Sequence, residues 1–126
     1  MSHLVTYNPD SGLIETKIQG NLSLDEAKQL IAEIGTAAKD NHCFRCLSDY
    51  RETTMRLSTI EIYDIPQLLS RKLASMGIDA QKFKRAIVVA KSLEDFHFFE
   101  TVTINTGQNI RLFLDMEEAR KWLLEP

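Results

Sequence analysis

The chain opens on two segments that read as alternating, "HLVTY" over residues 3–7 and "LIETKI" over 13–18, divided by the turn-forming run "NPDSG". Period-two alternation on both sides of a Pro/Gly turn predicts a β-hairpin. The period then changes. Leu24, Ala27, Leu30, Ile31, Ile34 and Ala38 recur at helical spacing, with Asp25, Lys28, Gln29 and Glu33 elsewhere on the surface. Ser23 and Glu26 supply a capping box at the start of this first helix. "CFRCLSD" (43–49) reads as a strand. "LSTIEIYDIPQLLSRKLASMG" (57–77) predicts a second helix opened by Ser58 and Glu61, with a kink or restart at Pro66, whose ring lacks a donor and clashes with the preceding turn. "RAIVVA" (85–90) is a continuous apolar run, as expected of a strand covered on both faces. "SLEDFHFFETVTINTG" (92–107) predicts a third helix with Ser92 as N-cap and Gly107 as its stop. "NIRLFL" (109–114) is the last strand. Asp115 and Glu118 cap a closing helix, "MEEARKWLLE" (116–125), in which Met116, Ala119, Trp122 and Leu123 form one stripe.

The predicted order is β-β-α-β-α-β-α-β-α. A hairpin leading into strand–helix units implies an α/β fold: a mixed, largely parallel sheet of about five strands with four helices and right-handed crossovers. No repeat, low-complexity tract or linker divides the 126 residues, so a single domain over 1–126 is expected.

Composition narrows the function classes. Hydrophobic residues make up 44% and charged residues 26%, an ordinary globular balance, and the net charge is -3. That charge gives no reason to expect nucleic acid as a partner. The basic run Arg71, Lys72, Lys82, Lys84, Arg85 and Lys91, against Asp79, reads first as a solvated face and second as a docking patch. "MSHLVTYNPD" is no signal peptide, and no apolar run reaches the length of a membrane span, so a cytoplasmic protein is expected.

"HCFRC" places Cys43 and Cys46 three apart beside His42. Inside a strand, residues three apart face opposite sides, whereas a chelating or redox CxxC bends back to bring its sulfurs together. There is no second cysteine pair, and His3, His42 and His97 share no metal-ligand spacing. The cysteines are expected to pack, with no metal, no cofactor and no disulfide between them.

Ligands of open α/β sheets collect beyond the carboxyl ends of parallel strands. Asp49 and the polar stretch "YRETTMRLST", with Arg51, Thr53, Thr54, Ser58 and Thr59, follow one predicted strand; Lys91 and Ser92 follow another; Asp115 follows the last. Helix N-termini there offer unfilled N–H groups to an anion, although capping alone explains Ser58, Ser92 and Asp115. Asp49 and Arg51, at i and i+2, can pair with each other. His97, close to Asp95 and Glu100 in "DFHFFE", can be drawn with Asp49 as an acid–base pair, but a histidine beside a helix core face is more often a bystander.

The element order, with "GLIETKIQGNLSLDEA", "CLSDYRETTMRLSTIEIYDIP" and above all the closing "RLFLDMEEARKWL", resembles the STAS domain and, more specifically, the bacterial SpoIIAA-like (STAS/Sec14-related) group of uncharacterised proteins. The resemblance spans nearly the whole chain. It implies a non-enzymatic regulatory or binding module whose partner is a regulatory protein or a small apolar or anionic ligand, with a homodimer as a permitted state. It also leaves open a carrier of lipid or another apolar ligand, and a small acid–base enzyme in third place. The antagonists of this fold carry a phosphorylatable serine in a D-S-S-G type motif between the third strand and the second helix. Here Asp49 matches the aspartate, but Tyr50, Arg51 and Glu52 follow it, so the familiar phosphoswitch is not expected. The ligand- or partner-binding residues expected from sequence are Asp49, Arg51, Thr53, Thr54, Ser58, Lys91 and Ser92.

Overall fold

A computed structural model describes residues 2–55, 57–90, 100–101 and 108–125. The hairpin is β1 (Ser2–Asn8) and β2 (Leu13–Leu22), antiparallel from Ser2 opposite Gln19 to Asn8 opposite Leu13. Asn8 organises its turn: its side chain accepts from the Asp10 N–H at 3.0 Å and its carbonyl from the Gly12 N–H at 2.9 Å. Gly12 sits at φ +70°, in the left-handed region that a residue without Cβ enters at little cost.

α1 (Leu24–Asn41) follows, capped by Ser23, whose hydroxyl accepts from the Glu26 N–H at 3.4 Å. β3 is Arg45–Met55, α2 is Thr59–Ser75, and a short 3₁₀ turn (Ala80–Lys82) leads into β4 (Lys84–Val88). β5 (Asn109–Phe113) and α3 (Met116–Leu124) close the chain, with Asp115 accepting from the Glu117 N–H at 2.8 Å as the cap of α3. The strands lie in the order β1-β2-β3-β4-β5, with every pair after the hairpin parallel. This is the expected mixed α/β sheet. The expected helix over 92–107 lies outside the described residues, except that Glu100 and Thr101 are helical.

The two faces of the sheet follow from strand alternation. Ile14, Ile18, Cys46, Tyr50 and Ile87 point to one side, where Leu30, Ile34, Leu69 and Leu73 of α1 and α2 cover them. Leu13, Leu47, Ala86 and Val88 point to the other, against Ala119 and Leu123 of α3. Burying each such aliphatic side chain contributes about 1.5–3 kcal/mol, which is why the period-two and period-3.6 stripes find one another.

Three expectations change in detail. α2 runs unbroken through Pro66 rather than restarting there; tertiary packing of Ile65 and Leu69 holds the helix although the Ile62 carbonyl loses its intrahelical donor. β3 does not end at Asp49 but continues to Met55, because Glu52–Met55 stay in register with Gln19–Leu22 of β2. Between Lys17↔Asp49 and Gln19↔Glu52, β2 advances two residues while β3 advances three, so the extra residue of a bulge falls near Tyr50 and Arg51. Finally, the basic run is not all solvated. Arg71, Lys72 and Lys82 are exposed, but Lys84 is half-buried and Arg85 is buried among the sheet's core residues; Lys91 lies outside the described residues.

Candidate functional site

Asp49 is the last residue of β3 with a strand on each side, opposite Lys17 of β2 and Val88 of β4. Its side chain, 14% exposed, points to the α3 face. There it forks onto Arg51: Oδ1 accepts from Arg51 Nε at 2.9 Å and Oδ2 from Nη2 at 2.9 Å, while Oδ1 also accepts the Arg51 backbone N–H at 3.1 Å. The Arg51 hydrogen bonds hold the Asp49 carboxyl below the ordinary carboxylate range, against a smaller opposing effect of burial. A depression of about 230 Å³ beside Asp49 is walled by Leu4, Lys17, Leu47, Met116 and Arg120.

The neighbouring polar groups are also occupied. Glu52 accepts from Gln19 Nε2 at 2.5 Å and lies 3.7 Å from Lys17 Nζ. The Thr53 hydroxyl donates to the Ile18 carbonyl at 2.7 Å, next to the bulge, and Thr54 is exposed opposite Asn21. Ser58 begins α2 with a complete capping box: its hydroxyl accepts from the Glu61 N–H at 3.2 Å, and Glu61 Oε1 accepts from the Ser58 N–H at 2.9 Å.

These residues form no single pocket. Because Asp49–Met55 is strand and not the polar loop expected from sequence, Asp49 and the start of α2 are separated by roughly 20 Å of extended chain, at about 3.3 Å per residue. Strand pairing beyond Asp49 is the reason: Thr53, Thr54 and the bulge let β2 and β3 extend as a two-stranded ribbon. Lys91 and Ser92 lie outside the described residues, as does His97. Arg51 and Asp49 satisfy each other, and Ser58 is a cap.

The cysteines pack, but not by the alternation expected. Cys43 lies before β3, so the two do not share a strand, and both contribute to the core beneath α1 and α2. Both are free thiols. Cys43 Sγ donates toward the Gly12 carbonyl at 3.3 Å, and Cys46 Sγ lies 3.6 Å from Ser48 Oγ. Burial pushes the Cys46 thiol up to about 11, with smaller opposing effects from Ser48 and the Arg85 charge. No group of three or more metal-ligating side chains occurs among the described residues.

Two features were not singled out from sequence. At the amino ends of β3 and β4, opposite to the expected rim, lies an open groove of about 530 Å³ whose walls include His42, Phe44, Arg45, Lys82 and Lys84. Lys84 is already engaged, donating to the Trp122 and Glu125 carbonyls with its ammonium 4.4 Å from the Trp122 ring centroid. The second is a small, partly enclosed cavity of about 20 Å³ between α1, α2 and the sheet, lined by Arg85 and Tyr50 among aliphatic side chains. Its sequence signal was parity: Arg85, Ile87 and Val89 alternate onto one face of a strand expected to be covered on both.

No protein-family model matches the chain, and neither does any curated protein sequence. Solved structures do. The anti-sigma factor antagonist SpoIIAA in its unphosphorylated form superposes with a TM-score of 0.58 at 13% identity, covering 96% of each chain. An uncharacterized protein of the DUF3478 family with a SpoIIAA-like fold, from Shewanella loihica PV-4, superposes with a TM-score of 0.61 at 20% identity, covering 97% of this chain and 92% of the other. The fold is SpoIIAA-like. At these identities the likeness speaks of fold, and one fold hosts many functions. Among the described residues, no helix of this SpoIIAA-like chain is long and apolar enough to cross a membrane.

Proposed function

We propose that this chain is a non-enzymatic regulatory or binding module of the STAS-like type, a single domain over residues 1–126 that works in the cytoplasm through a protein partner. The observation that supports this reading is the end-to-end likeness in fold to SpoIIAA, an anti-sigma factor antagonist. The proposed contact surface is the outer part of β3 and the start of α2, with Arg51, Thr53, Thr54 and Ser58; Lys91 and Ser92, expected from sequence to belong to it, lie outside the described residues. It is polar, and among the described residues no strand lies beside Glu52–Met55 on the edge away from β2. Unpaired strand edges and element ends are where partners add hydrogen bonds.

The acid–base alternative fits the geometry poorly. Both oxygens of Asp49 are held by Arg51, and a carboxylate stabilised in its ionised form is a weak base. A lipid carrier needs room for an acyl chain, whereas the cavity between α1, α2 and the sheet holds about one water-sized group.

Regulation by the familiar phosphoswitch is not expected. A phosphate on Ser58 would place about two negative charges at the start of α2, where the helix dipole favours them. It would also face Glu61, whose carboxylate already occupies the Ser58 N–H. Incubation with an anti-sigma-type serine kinase should therefore leave the chain largely unmodified. Rapid stoichiometric phosphate on Ser58, Thr53 or Thr54, mapped by mass spectrometry, would restore the switch. The contact surface is tested by chemical-shift mapping with a partner captured from the native host: perturbations should centre on residues 51–58. Perturbations confined to the groove around His42 and Lys82 would overturn the assignment.

A further inference from the structure

Arg85 enters the core from β4, flanked by Cys46 on β3 and Ile110 on β5. It is 6% exposed, and its Nε and Nη1 are buried without a hydrogen-bond partner among the described residues. Arginine does not escape this by deprotonating, since its guanidinium stays charged at any pH a protein meets. The remedies open to a buried charge are an opposite charge or fixed hydrogen-bond acceptors.

Among the described residues, Arg85 Nε and Nη1 meet neither. Arg85 lines the small, partly enclosed cavity together with Leu22, Leu30, Ile31, Ile34, Tyr50 and Ile65, and no carboxylate among the described residues lines it. The nearby acidic protons belong to Cys46 and Tyr50. Burial pushes both groups up, further than the Arg85 charge pulls them down, so neither supplies an anion near neutral pH. What remains is a cation with open donors in the wall of a cavity of about 20 Å³, room for one small group.

We propose that this cavity is a binding site for one small monovalent anion, a halide or a carboxylate group, held by the guanidinium of Arg85. The largely apolar walls lower the local dielectric and strengthen a charge pair that would be weak at the surface. They also select by size: the cavity as it stands has room for a single-atom anion, formate enters once the walls shift slightly, and sulfate or phosphate is disfavoured. An acid with an apolar tail enters only if α1 and α2 part. This site lies on the α1/α2 side of the sheet and is independent of the partner surface proposed above, so either can fail without the other.

The test uses the full chain labelled with ¹⁵N, titrated with sodium chloride, sodium formate and sodium hexanoate at ionic strength held constant with sodium sulfate. The Arg85 Nε–H resonance, identified by its loss in Arg85→Met, should shift saturably. The melting temperature should rise in parallel, on the order of 10 °C at an anion concentration about 100 times Kd. In Arg85→Met the melting temperature should ignore the anion. Should that variant fail to fold, triple-resonance assignment of the wild-type side chain supplies the same readout. Chloride and formate acting alike identify a free small anion. Affinity that climbs about fourfold per methylene from formate to hexanoate identifies an apolar acid as the source. A resonance and a melting temperature unmoved by all three anions, or an equal response in Arg85→Met, overturn the proposal.

Discussion

Between Cys46 and Asp49, β3 has β4 along one edge and β2 along the other, and side chains are buried to both faces: Cys46 and Ser48 toward α1 and α2, Leu47 toward α3. From Glu52 to Met55 the same strand keeps only β2 among the described residues, and Glu52 and Thr54 are exposed. The bulge near Tyr50 and Arg51 marks the change. One strand thus serves two purposes: its inner half is sheet core, and its outer half is a polar ribbon with hydrogen-bonding capacity to spare. Stability should therefore concentrate in the first half and recognition in the second.

The largest effect that can break this contrast is a cavity in the inner half. Leu47→Ala removes a side chain packed against Leu13, Val88 and Leu123, and should cost about 2–5 kcal/mol in urea unfolding. Thr54→Ala, in the outer half, should stay within about 0.5 kcal/mol. Comparable losses at the two positions would remove the distinction.

Reactivity sharpens it next. With its thiol moved from an ordinary 9.0 to about 11, Cys46 holds about a hundredfold less thiolate than an unperturbed cysteine at pH 8. Iodoacetamide labelling followed by mass spectrometry should find Cys46 unmodified in native protein and modified in urea. Rapid native labelling would mean that the inner half of β3 opens readily.

A smaller effect belongs to the end of the ribbon. Ser58→Ala removes the oxygen that caps the Glu61 N–H and should cost about 1 kcal/mol, while Ser58→Asp should restore most of it. Thermal unfolding of the pair checks this. If Ser58→Ala also leaves partner binding intact, the cap is structural only.

The smallest effect is at the boundary itself. The Asp49 carboxyl titrates lower in the folded chain than in the unfolded one, where it titrates near 3.9. Its contribution is therefore fully present above about pH 4 and is lost as pH falls through the lower folded value. Wild type should lose stability relative to Asp49→Asn below about pH 4 and run parallel to it at higher pH. A difference that instead changes between pH 5 and 8 would show that Arg51 does not hold the carboxylate as described.

Much of the architecture was legible because local rules and tertiary packing agree. Strand alternation in "LIETKI", the helical stripe from Leu24 to Ala38, and the Ser58 and Asp115 caps specify elements that hold in the fold. The element order implied the mixed sheet. Extended pairing of β3 was not legible: "YRETTM" is polar, and only the facing residues Gln19–Leu22 turn it from loop into strand. The site was hardly legible at all. Asp49 and Arg51 were visible as a pair, but Arg85 looked like one more member of a basic run.

What the sequence determined by itself is therefore the set of elements and their buried stripes, since those depend on residues three, four or two positions apart in one chain segment. What only the tertiary structure decided is which polar groups lack partners. Arg85 is flanked by Cys46 from one strand and Ile110 from another, and it lines a cavity whose other walls include side chains from α1 and α2. Whether a charge is solvated, paired or stranded is a property of everything within a few ångströms of it, and those neighbours come from segments that chain order does not bring together.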